Sequence, residues 1–260
     1  MNLIDFHTHV FPEKIAVKAA RSISDFYSFQ PEKAVAPTID VLKQHMAESN
    51  TKYAVTCSTA TVPEQVQSIN SWIAELKDES VLPLGTLHPD FDDIEQEVER
   101  IIKLGLYGIK LHPDFQRFAS DSEKAQRIYR AIEGRLMLLI HAGDNRYDFT
   151  HPRQIANVHE MFPRLTIIAA HLGGYSQWDE ASEYLIGADV YIDTSSAITF
   201  LPPEKSTQII LNHGTDKVLF GTDFPLTTQK QELELFNKLY LNEQQREDIL
   251  FNNGYKLLFG

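Results

Sequence analysis

Apolar positions along this chain change period in a regular way. Short apolar runs alternate with longer stretches whose apolar residues recur every three or four positions, the rhythm of repeated strand–helix units. It predicts strands at 4–10, 53–59, 81–87, 107–111, 136–141, 165–171, 190–194 and 218–223. Helices are predicted at 63–77, 93–104, 123–132, 152–161, 179–186, 204–212, 229–239 and 243–258. Thr38 is placed to cap one more helix, whose Ile39, Leu42 and Met46 have helical spacing and which ends near Asn50. Residues 11–36 carry Pro12, Pro31 and the aromatics Phe26, Tyr27 and Phe29, and read as an irregular loop that covers a site.

Eight strands, each followed by a helix, are what a (β/α)8 TIM barrel requires. An open doubly wound sheet fits less well: it uses five or six strands, and no Gly-x-Gly-x-x-Gly follows any strand here. No Pro, Gly or Ser-rich linker divides the 260 residues, so a single domain spanning 1–260 is expected.

Composition narrows the function. Hydrophobic residues make up 43% and charged residues 23%, values that predict a well-filled core. The formal charge of -12 argues against a nucleic-acid partner. No apolar run is long enough to span a bilayer, and Met1 leads directly into a strand without a signal-peptide pattern, so a cytoplasmic protein with no membrane partner is expected. The single cysteine, Cys57, excludes an intrachain disulfide and an all-cysteine zinc knot. It ends an apolar strand with no evident base beside it and reads as a small buried hydrophobe.

The chemistry gathers at strand ends. The first strand ends in His7 and His9, the third in His88-Pro89, the fourth in Lys110-Leu111-His112-Pro113, the fifth in His141. The sixth ends in His171-Leu172-Gly173-Gly174, the seventh in Asp193-Thr194, the eighth in Gly221-Thr222-Asp223. A barrel gathers the C-terminal ends of its strands at one mouth, so these side chains converge there. In a regular strand Asp5, His7 and His9 share one face, with Asp5 a layer deeper as support, and Ile4, Phe6 and Thr8 share the other. Counting back by two places the small residues Ala169 and Gly221 beneath His171 and Asp223, leaving room for an ion. Burying several imidazoles and a carboxylate together without partners costs several kcal/mol, which metal coordination offsets. His45, His151, His159 and His213 lie away from strand ends and read as surface residues.

Asp5-Phe6-His7-Thr8-His9, Ile140-His141, Ala170-His171-Leu172-Gly173-Gly174 and Gly221-Thr222-Asp223-Phe224-Pro225, in that order over nearly the whole chain, resemble the amidohydrolase superfamily. The likeness is to its amidohydrolase-related branch, which includes aminocarboxymuconate semialdehyde decarboxylase. The resemblance implies that His7, His9 and His141 bind a divalent metal, with Asp223 a further ligand or a base beside it. It places His171 next to the site, orienting or deprotonating water or substrate. One Zn2+ suits imidazole and carboxylate donors, with Mn2+ or Fe2+ as alternatives.

Binuclear relatives bridge two metals with a carboxylated lysine on the fourth strand, which Lys110 occupies; pairing with Asp5 or Asp193, or with an anionic substrate, is the other reading of it. His88 and His112 either meet substrate or shape their turns. Arg117, Arg146 and Arg153 follow the fourth and fifth strands, and one of them, such as Arg146, can clamp a substrate carboxylate. Asp193 supports the site from the seventh strand.

The leading expectation is therefore a metal-dependent hydrolase that activates water to attack the carbonyl of a small, possibly carboxylated amide, ester or lactone. Non-oxidative decarboxylation of an unsaturated or aromatic acid is the alternative, and a non-catalytic binding barrel the third. A homodimer is compatible with the family.

Overall fold

A computed structural model of the protein describes residues 2–27 and 36–260. Eight strand positions appear, as predicted: β1 (Leu3–His9), β2 (Thr51–Cys57), β3 in two pieces (Val81–Pro83 and Gly85–Thr86), and β4 (Gly108–Leu111). They continue with β5 (Met137–Ile140), β6 (Ile167–Ala169), β7 (Tyr191–Asp193) and β8 (Val218–Leu219). Each neighbouring pair is parallel, and the break at Leu84 splits β3 so that one piece pairs with β2 and the other with β4. Phe6 N–H donates to Phe220 O (2.8 Å), Asp223 N–H to His7 O (2.9 Å) and His9 N–H to Phe224 O (2.8 Å), joining the first strand to the last.

Around the strands run α1 (Glu13–Tyr27), α2 (Ile39–Ser49), α3 (Val66–Ala74), α4 (Ile94–Lys103), the single turn α5 (Pro113–Gln116), and α6 (Glu123–Ile132). They are followed by α7 (Pro152–Met161), α8 (Trp178–Tyr184), α9 (Pro203–His213), α10 (Gln229–Phe236), α11 (Glu243–Glu247) and α12 (Asn253–Phe259). The helix expected at 243–258 is interrupted by a π turn at Asp248–Asn252. No helix among the described residues is long and apolar enough to cross a membrane.

The irregular loop expected at 11–36 is corrected in its first half. Pro12 stands ahead of the first turn, where its missing N–H costs nothing, and Ala16, Ala20, Ile23 and Tyr27 recur at helical spacing, so residues 13–27 form α1. Phe29 and Pro31 lie outside the described residues.

Two apolar clusters follow from strand alternation. Ile109, Leu138, Ile140, Ile167, Ala169 and Ile192 face the helices, among Val98, Ile101, Ile128 and Ile155. Ile4, Phe6, Val55, Leu82, Leu139, Ile168 and Leu219 fill the barrel interior, and Gly254 of α12 packs against Ile4 and Phe6. Ala169 thus faces the helix layer, and the expectation that it makes room beneath His171 fails. Gly221 lies against His7 instead: a Cβ there would lie 3.0 Å from His7 Cβ.

β1 departs from regular alternation. Its register against β2 shifts between Asp5 and Thr8, where Asp5 pairs with Ala54 and Thr8 with Thr56. Three steps along β1 match two along β2, so the strand carries one extra residue, a β-bulge. Ile4 and Phe6 point into the barrel, and the bulge turns His7 and His9 inward as well. Asp5, expected on the histidines' face, points outward to α10.

Candidate metal centre

The bulge brings His7 and His9 beside the end of the eighth strand. His7 Nε2 is 3.2 Å from His9 Nε2, and Asp223 Oδ1 is 3.1 Å from His9 Nε2 and 3.7 Å from His7 Nε2. Two ligands each about 2.1 Å from a zinc at a tetrahedral angle are about 3.4 Å apart, so this spacing fits one ion held by all three. Asp223 has φ 59, the left-handed region that costs a non-glycine residue about 1 kcal/mol or more. Its Oδ2 accepts from Ser196 Oγ at 2.7 Å, leaving Oδ1 toward the histidines.

Protonation favours a cation at this point. Burial and then Lys110 lower His7 to about 4, so its ring is neutral. His7 Nδ1–H donates to Asp193 Oδ2 at 3.0 Å, which leaves the Nε2 lone pair bare. Asp193 is fully buried, which works against its charge, yet His7, His171 and Ser195 hold it at about 2. Burial opposes a charge on His9, but Cys57 and Asp223 outweigh it and push His9 up to about 9. Burial likewise opposes the Asp223 charge, and His7, His9 and His171 overcome it, so the carboxylate is ionised. A divalent ion would displace the His9 proton from between these groups.

A chain of tautomers can be read from the other histidines, because a carbonyl only accepts. His171 Nδ1 lies 2.9 Å from Ser195 O and therefore carries the proton. His171 Nε2 is then an acceptor, so the contact at 2.9 Å is donated by His141 Nδ1–H. His141 Nε2 is left bare, 3.5 Å from Tyr27 Oη and 3.6 Å from Asp114 Oδ2. The expected ligand His141 lines the same cavity as His7, His9 and Asp223, but its contacts are with His171, Tyr27 and Asp114. His171 orients His141 directly.

Asp5 supports the site from behind, accepting from His7 N–H, Thr222 N–H and Oγ1–H, and Gln229 Nε2. Burial raises it to about 7. Lys110 is fully buried, its pKa lowered by burial, with Nζ 2.9 Å from His7 Nε2 and, among the described residues, no paired carboxylate. His112 lines the cavity, its ring stacked on Phe115 and His141.

The structure decides between the two readings of His88 and corrects two other expectations. His88 takes the turn role, Nδ1 accepting from Asp90 N–H at 3.2 Å, and is not among the cavity's lining residues. Arg146 does not reach the cavity to clamp a carboxylate: Asp144 binds it through Nε and Nη2, and its guanidinium lies over Phe26 and Tyr27. His213 is buried rather than at the surface, with Nε2 on Val190 O and Nδ1 accepting from Gly187 N–H.

Other partners went unread. Cys57 Sγ lies 3.4 Å from His9 Nδ1, so a base does stand beside it, but on the ring edge away from the Nε2 cluster. Among the described residues, His7–His9–Cys57, His7–His171–Asp193 and His112–Asp114–His141 also gather ligand atoms. In the second, Asp193 bonds the Nδ1 edge of His7; in the third, the two imidazoles stack 4.0 Å apart and nearly parallel, so their in-plane lone pairs do not meet at one point. Cys57, Asp114, Ser195 and Ser196 all lie at or just past strand ends, and extending the strand-end rule by a few residues finds them.

Above the centre is a cavity of about 300 Å³. Its walls are Phe11, Ile23, Phe26, Tyr27, Phe115 and Leu226, and the ionisable groups at its floor are the five histidines, Lys110 and Asp223. The family model described as amidohydrolase matches residues 4–260. The chain belongs to the amidohydrolase family. Solved structures agree in fold across almost the full length. 5-Carboxyvanillate decarboxylase of Sphingomonas paucimobilis is 15% identical with a TM-score of 0.72, covering 99% of this chain and 98% of its own. A dihydroxybenzoic acid decarboxylase of Polaromonas sp. JS666, solved with manganese and 2-nitroresorcinol, is 17% identical with a TM-score of 0.76, covering 99% and 97%. An Acinetobacter baumannii protein named a probable 2-pyrone-4,6-dicarboxylic acid hydrolase, solved with citric acid, is 17% identical with a TM-score of 0.71, covering 99% of each chain. No curated protein matches the chain.

Proposed function

We propose that this amidohydrolase-family enzyme is a metal-dependent hydrolase acting on a carbonyl of a small, largely apolar or aromatic substrate. The observation that carries this reading is the ionised Asp223 carboxylate, fixed by Ser196 with Oδ1 beside His7 and His9. His7, His9 and Asp223 would hold one divalent ion, zinc or, as in the Polaromonas relative, manganese; His141, whose bare Nε2 faces the cavity, is the further donor. Such an ion, when bound, polarises a carbonyl and lowers the pKa of water to about 7. Asp223 then accepts the proton of the attacking water and returns it to the leaving group. Asp193 holds His7 in the tautomer that leaves Nε2 free, and His171 does the same for His141.

The cavity favours an uncharged reacting end. Among its described lining residues Lys110 is the one amine or guanidinium; its burial favours the neutral amine, and Arg146 is matched by Asp144. Decarboxylation is the second reading, supported by the aromatic walls, which desolvate a carboxylate, and by the activities of relatives sharing the fold. Product analysis of the metal-loaded enzyme on lactones, aryl esters, amides and aromatic carboxylates separates the two. Consumption of one water per turnover is the expected result; release of carbon dioxide without it overturns the hydrolytic reading.

A further inference from the structure

Tyr27, the last residue of α1, projects its ring into the cavity, and its hydroxyl stands 2.9 Å from His112 Nε2. The direction of that hydrogen bond follows from the other edge of the imidazole. His112 Nδ1 is buried and has no partner among the described residues. A buried N–H without an acceptor is the costlier orphan, so Nδ1 bears the lone pair and Nε2 the proton. His112 Nε2–H therefore donates to Tyr27 Oη. The ring cannot swing away, because it lies between Phe115 and His141 with centroids 3.9 and 4.0 Å from theirs.

With its oxygen accepting from His112, Tyr27 is left with one O–H to give. The nearest acceptor among the described residues, the bare His141 Nε2, is 3.5 Å away, at the limit of a hydrogen bond, and an ion held by His141 would take that lone pair. The O–H then faces the space between the two lobes of the cavity. Tyr27 lines both, the larger with His7, His9 and Lys110 and the smaller with Tyr175, Ser196 and Thr199, and Asp223 lines both as well. Burial and the surrounding carboxylates keep the phenol protonated well above its usual range. The helix end carrying it is fastened to the barrel: Arg146, gripped by Asp144, stacks over Phe26 and Tyr27 and donates Nη1–H to Phe26 O.

We propose that Tyr27 is a catalytic residue whose hydroxyl donates a hydrogen bond to the substrate oxygen that becomes negatively charged when the carbonyl is attacked, with His112 as its positioning residue. The assignment rests on the hydrolytic reading above. No proton is transferred: the O–H stays on Tyr27, and the bond strengthens as charge develops. His112 polarises the hydroxyl oxygen rather than removing its proton.

The test uses the metal-loaded enzyme, the panel ester or lactone that turns over, and benzylphosphonate as a tetrahedral anion whose binding is read by calorimetry. Tyr27→Phe is expected to lower kcat about a hundredfold, the usual loss of one oxyanion donor. KM should stay within about threefold, metal content should be unchanged, and benzylphosphonate should bind at least about tenfold more weakly. His112→Leu should match the kcat loss, His112→Gln, which keeps a donor, should restore much of it, and Tyr27→Phe with His112→Leu should lose little more than either alone. A Tyr27→Phe kcat within threefold of the parent, or a rise in KM alone, overturns the proposal while hydrolysis stands. Equal phosphonate affinity in parent and variant overturns it independently. Carbon dioxide release by the parent, with phosphonate binding still lost in Tyr27→Phe, sinks hydrolysis and leaves the Tyr27 contact in place.

Discussion

Lys110 Nζ stands 2.9 Å from the bare Nε2 of His7, the nitrogen aimed at the cation position. The amine occupies space beside the centre and, among the described residues, is held there by no carboxylate partner. Lys110→Ala is expected to keep about one divalent ion per chain by elemental analysis. Two ions per chain in the parent, falling to one or none in Lys110→Ala, would show instead a carboxylated lysine bridging a pair.

Asp193 would act on a bound ion through His7. Asp193→Asn removes the acceptor that fixes the His7 tautomer, and metal affinity is expected to fall about 10-fold to 100-fold with the ligands all present. His9→Gln, which removes a proposed ligand, should lower it further. Competition with a chromophoric chelator measures both, and full chelation should abolish turnover until metal is restored.

Gly221 leaves the space that His7 fills. In Gly221→Ala the new methyl lies 3.0 Å from His7 Cβ and 3.3 Å from Ser195 Cβ, so the ring must shift. Reduced metal affinity is expected, with a melting temperature lowered by a few degrees, as for modest overpacking of about 1 kcal/mol or more. Unchanged affinity would show that β1 absorbs the methyl by sliding.

Glu232 carries a pH signature of stability. It is fully buried, accepts from Thr199 and Thr227, and burial raises it to about 8. At pH 4 and below both folded and unfolded chains hold its proton; between about 4.5 and 8 only the folded chain does, so stability falls as pH rises. Glu232→Gln should remove that fall. Relative to the parent, the variant gains stability from pH 5 to pH 8, by at most about 1.4 kcal/mol per pH unit. Chemical denaturation at both pH values reads the difference, and a parallel pH dependence in the two proteins contradicts the shift.

Much of the fold and the centre is legible in the chain itself. Alternating strand and helix periods are properties of the local sequence, and the eight strand positions appear as expected. The strand-end rule finds His7, His9, His141, His171 and Asp223 because the fold gathers those ends. The facing of Asp5 was not legible, since a bulge depends on the partner strand's register and leaves no signal in the residues around it. His213 was misread because its burial comes from Val190 O and Gly187 N–H, contacts made only after α9 packs. Arg146 was misassigned because Asp144, two residues earlier, neutralises it before any substrate can.

The extra residue in β1 gives the centre a dependence on phase. A strand of the same residues paired with β2 without the bulge would keep its composition and its hydrogen-bonding capacity. Asp5, His7 and His9 would then share one face, so either the carboxylate enters the barrel beside the imidazoles or the imidazoles turn to the helix layer with it. The centre therefore depends as much on the register between paired positions of β1 and β2 as on which residues they are.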